Sequence, residues 1–69
     1  MRITYDPDVD AVYIMFGEGA AADSHDVMDG LTIDVDAGGR ILGIEVLDAR
    51  TRLGEAALAG VEFQRLDEL

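Results

Sequence analysis

Asp6, Asp8 and Asp10 stand at the i, i+2, i+4 spacing with which a calcium-binding loop opens, where alternate carboxylates converge on a hard cation. The remainder of such a loop is missing. Ala11 occupies the place of the glycine that makes its sharp turn, and Gly17 the place of the closing glutamate. A solvated turn, with Asp side chains bonding nearby backbone amides, is the expected role, and no metal site is assigned. Ser24-His25-Asp26 spells the residue types of a hydrolase triad, but neighbours on a strand point to opposite faces and cannot form a nucleophile, base and orienter chain. His25 is expected as an exposed edge-strand residue. Tyr5, Tyr13 and Glu45 are polar groups set in otherwise apolar strand faces, so they are the residues expected to share a pocket if there is one. Glu45 buried there without a cation would have a raised pKa suited to proton transfer. The plainer expectation is that Glu45 bonds a tyrosine hydroxyl or an arginine across an oligomer interface, with Asp48 serving as a strand-end turn or cap. No catalytic residue is assigned. Gly38-Gly39 leads into a strand and lacks the lysine of a phosphate-binding loop, so no nucleotide or other cofactor is expected.

The chain that must position these residues has 69 of them, enough for one domain spanning 1–69. A domain of this size buries only about 60% of the surface its unfolded chain exposes. There is no cysteine and only one histidine, so neither a disulfide nor a structural metal strengthens such a core, and self-association is the remaining common means. Fifteen acidic residues against five arginines give a net charge of −10, which argues against nucleic acid and anionic membrane as partners and fits a basic protein better. Hydrophobic residues make up 49% of the chain and the mean hydropathy is +0.14, too apolar for a disordered acidic tail. The apolar run Ala11 to Phe16 is far short of a membrane span, and the start of the chain lacks the blocks of a signal peptide, so a cytoplasmic protein is expected.

Arg2 to Tyr5 alternates polar and apolar residues, and Ala11 to Phe16 is a β-branched and aromatic run; the turn formers Asp6 to Asp10 between them predict a hairpin. Ala21 to Val27 suits an edge strand. After the turn signal Asp29-Gly30, the alternation of Leu31, Ile33 and Val35 with Thr32, Asp34 and Asp36 predicts a strand with one wet face. Ala37 to Arg40 then turns the chain into Ile41 to Leu47, a second hairpin. Gly43 marks a bulge or a close backbone approach. A short helix capped by Thr51 should run through Leu58 and Ala59 and stop at Gly60. Val61 to Leu66 alternates enough for a further strand, the reading preferred here, although Phe63, Leu66 and Asp67-Glu68-Leu69 fit a frayed terminal turn equally well. The expected fold is therefore α+β and β-rich: an antiparallel meander of about four to six short strands, two main hairpins and one short C-terminal helix.

Tyr5-Asp6-x-Asp8-x-Asp10-Ala11-x-Tyr13-Ile14, Ile33-Asp34-x-Asp36 with Gly39, and Gly43-Ile44-Glu45-Val46-Leu47-Asp48-Ala49 together resemble the YuzE-like family of small bacterial proteins of unknown function. The resemblance runs from about Arg2 to Arg50, and Arg50 stands where that family usually carries a small polar residue. It implies a compact β-rich fold and self-association, with no catalytic residues to transfer. Some relatives lie beside toxin-like genes, which raises a second role, that of an antitoxin.

The resulting expectation is a non-enzymatic homo-oligomeric structural or interaction module. Its second apolar sheet face should meet another copy through Val12, Ile14, Phe16, Ile41 and Leu47. The alternative is an acidic antitoxin binding a basic toxin.

Overall fold

A computed structural model of the chain describes residues 1–68. Five strands, β1 (Arg2–Asp6), β2 (Ala11–Met15), β3 (Asp23–Met28), β4 (Leu31–Val35) and β5 (Ile41–Val46), form one antiparallel sheet in the order β1-β2-β5-β4-β3. The β1–β2 hairpin and the β3–β4–β5 meander are joined by pairing of β2 with β5. This places the two most apolar strands at the centre and the polar β3 at an edge, where all six of its residues are exposed. The chain is α+β and β-rich, as its patterning predicts.

Two short helices follow, α1 (Ala49–Leu53) and α2 (Glu55–Ala59). The single helix expected from Thr51 thus starts earlier and is broken at Gly54, whose φ of 85° lies in the left-handed region that interrupts a helix. Asp48, not Thr51, holds the cap position, at φ 52°. No strand forms over Val61 to Leu66. The backbone there is irregular up to a 3₁₀ turn at Leu66–Glu68, and Val61, Phe63 and Leu66 remain exposed. Alternation over six residues makes a strand only where a sheet edge lies within pairing reach.

The register sorts side chains by face. Tyr5 pairs with Val12, Val12 with Val46, and Val46 with Leu31; one step along, Ile3, Ile14, Ile44 and Ile33 align. These residues line the inner face, which the helices partly cover. Its core comprises Val12, Val46 and Ala49, with Tyr5, Ile14, Leu31, Ile44 and Leu58 packed around them. Thr4, Tyr13, Glu45, Thr32 and Asp26 align on the opposite, open face. The result is a slab 36 × 34 × 18 Å, with one sheet and half a layer of helix.

Candidate functional site

On the open face, Asp34 accepts hydrogen bonds from the Tyr13 hydroxyl at 2.9 Å and the Ser24 hydroxyl at 2.6 Å, so a polar row crosses β2, β5, β4 and β3. Tyr13 reaches Asp34 by passing directly over Gly43 of β5, where a Cβ would overlap the phenol ring and hydroxyl. The pairing of β4 with β5 also shifts register beside Gly43, so this glycine marks both a bulge and a close approach. The Ser24 bond, and after it the Tyr13 bond, holds the Asp34 carboxyl below its ordinary value, while the bond to Asp34 raises Tyr13. A carboxylate made more acidic is a weaker base, and a phenol made less acidic is a weaker acid, so neither shift favours proton transfer.

The turn between β1 and β2 carries a second polar device. Asp6 accepts from the backbone N–H of Asp8 at 2.9 Å, the local turn expected of the Asp-rich stretch. Asp10, at φ 54°, points its carboxylate the other way. One oxygen accepts both the Tyr5 hydroxyl at 2.8 Å and the backbone N–H of Arg50 at 3.1 Å, and the Asp10 carbonyl accepts the N–H of Ala49 at 3.0 Å. Asp48 makes no side-chain cap, so Asp10 satisfies the first donors of α1 from across the sheet. The Asp10 bond raises the Tyr5 phenol.

These positions separate the expected trio. Glu45 and Tyr13 are register partners on the open face, whereas Tyr5 lies on the inner face, so the pocket anticipated from Tyr5, Tyr13 and Glu45 does not form. The odd spacing between Tyr5 and Thr4, the partner of Tyr13, is what sends them to opposite sides. Ser24 and Asp26 share a face that His25 does not; Asp26 accepts from the Thr32 hydroxyl at 3.0 Å, and His25 sits 3.5 Å from Asp23. Among the described residues, no group of three or more His, Asp or Glu side chains is placed to hold a metal.

The expected interface residues are also divided. Val12 is 4% exposed within the single copy and belongs to its core. Ile14 lines the inner-face groove, while Phe16, Ile41 and Leu47 are exposed and do not line it. The open face carries Asp34, Glu45 and Asp26 between its apolar side chains, so it is not the second greasy face that the runs Ala11 to Phe16 and Ile41 to Leu47 suggest. Hydrophobic opportunity lies instead in a groove of about 300 Å³ on the inner face. Ile3, Tyr5, Val12 and Ile14 form its sheet wall. Leu53, Ala57 and Leu58 of the helices, with Val61 beyond them, form the opposite wall, and no charged residue lines the groove.

The model of the family described as a protein of unknown function (DUF2283) matches residues 2–50, a span that contains the entire sheet, both polar devices and the entry to α1. The chain belongs to the DUF2283 family. No curated protein and no solved structure matches it significantly. Within the DUF2283 span, Asp6 and Asp36 accept hydrogen bonds in turns, Asp10 ties the hairpin to α1, and Tyr13 and Ser24 meet on Asp34 across four strands. The helical wall of the groove lies outside the DUF2283 match.

Proposed function

We infer that this DUF2283 protein is a non-catalytic module that works by associating with copies of itself. One observation carries the reading. A folded monomer of 7.4 kDa presents about 4,200 Å² to solvent on average. This chain presents 5334 Å². The excess, about 1,100 Å², is comparable to the roughly 800 Å² per partner that a standard interface removes. Among the described residues, the buried hydrophobic ones are Val12, Leu42, Val46 and Ala49, while Ile3, Leu53, Val61 and Phe63 are each at least 38% exposed. The polar rows supply cohesion in place of acid–base chemistry, which supports a role without catalysis. The resemblance of its motifs to those of YuzE-like proteins supports a bacterial setting. Light scattering on the purified chain tests the reading: a mass of at least twice 7.4 kDa is expected, and a monomer mass at every concentration overturns it.

The β3 edge favours a second reading, an antitoxin that binds a basic toxin. Its six residues are exposed, it includes Asp23 and Asp26, and its outer backbone edge is unpaired, which suits addition of a basic extended segment. A basic protein that co-purifies from the native host and dissociates as salt is raised supports this reading; co-purification of the chain alone contradicts it.

A further inference from the structure

We propose that the inner-face groove is the surface through which two copies meet, each inserting Phe63 into the groove of the other. This rests on the self-association reading and names its surface. Three observations choose the groove. Its lining is wholly uncharged, whereas the open face holds Asp34, Glu45 and Asp26; for a chain of net charge −10, two copies meet at least electrostatic cost through the groove. The chain also carries a fitting insert. Val61 forms the rim of the groove, and two residues further on Phe63 is 73% exposed on a segment with no regular structure. An apolar cavity of about 150 Å³ admits benzene, so a groove of about 300 Å³ has room for the phenyl ring with neighbouring side chains. Lastly, one chain carries both a groove and, two residues beyond its lining residue Val61, an exposed insert, which is what the self-complementarity of a two-fold dimer requires.

Sedimentation equilibrium on the intact chain and three variants tests this. Phe63→Ser alters a side chain on an irregular segment and leaves the sheet and helices untouched. Ile3→Glu places a charge in the groove at a position 38% exposed, and Met15→Glu places the same charge on the open face at a position equally exposed. Circular dichroism establishes that each variant retains the parent fold. Phe63→Ser and Ile3→Glu should each weaken the dimer by at least about thirtyfold, the effect of losing a central aromatic or apolar anchor. Met15→Glu should leave the dimer within about threefold of the parent. If the parent is a dimer and folded Phe63→Ser and Ile3→Glu retain its affinity, or Met15→Glu abolishes it, the groove is not the surface, though self-association stands. If the parent is a monomer throughout, the underlying reading fails as well.

Discussion

Tyr13, Gly43 and Asp34 act as one unit because the phenol can reach the carboxylate only over a residue without a Cβ. Gly43→Ala must push the ring aside and break the bond, at a cost of about 1–3 kcal/mol. In that background Tyr13→Phe should add little, and a double-mutant cycle on urea midpoints measures the coupling. The same unit shapes the response to acid. Asp34 is more acidic folded than unfolded, so its contribution is present above the ordinary carboxylate value of 3.8 and is lost as pH falls through the lower folded value. Ser24→Ala and Tyr13→Phe each return Asp34 toward its ordinary value, so the loss of stability between about pH 5 and 2 should be shallower in both variants. An acid limb as steep as the parent's would contradict the role given to these donors. Tyr13 has the opposite sense: its raised value protects the fold below pH 10 and ceases to do so at higher pH. In the sequence, Gly43 is legible as a bulge or close approach, but nothing local identifies Tyr13 as its cause or Asp34 as the acceptor, which lies 21 residues away.

At the scale of elements, patterns of period two read directly where one face of a strand packs towards the core; Leu31 to Val35 and Ile41 to Val46 are the clearest instances. The order β1-β2-β5-β4-β3 is less legible, since pairing of β2 with β5 depends on both being central and apolar rather than on any turn between them. The helices are the least legible elements. Their start is fixed by Asp10, a residue 40 positions before the Arg50 amide it accepts, and Asp48 at the cap position makes no side-chain bond that would report that contact. Asp10→Ala removes the acceptor for Tyr5 and Arg50 and places alanine at φ 54°, a conformation costing about 1–2 kcal/mol by itself. The variant should lower the thermal midpoint and expose the amides of α1 to hydrogen exchange. Asp10→Asn retains an acceptor oxygen and tolerates the left-handed region, so it should recover most of the loss; equal damage from both would refute the tie.

For the whole molecule, the Asp-rich motifs of the DUF2283 span organise turns and strands, and the unsatisfied part of the fold is its thin hydrophobic layer. Composition and length predict a core that a second copy would complete, which is the proposal made above. They do not identify the surface, because the faces of Tyr5, Tyr13 and Val12 depend on register. If two chains of net charge −10 associate through an uncharged groove, added salt should tighten the assembly by screening their mutual repulsion. A basic partner held by charge would show the reverse, and sedimentation at low and moderate ionic strength separates the two. The most direct test of the central claim is urea unfolding of the parent chain at about 1 and about 100 μM, since only a fold that includes a second copy gains stability by mass action. The midpoint should rise with concentration. An identical midpoint at both concentrations, with cooperative unfolding of a monomer, would contradict the conclusion that the chain needs another copy to complete its core.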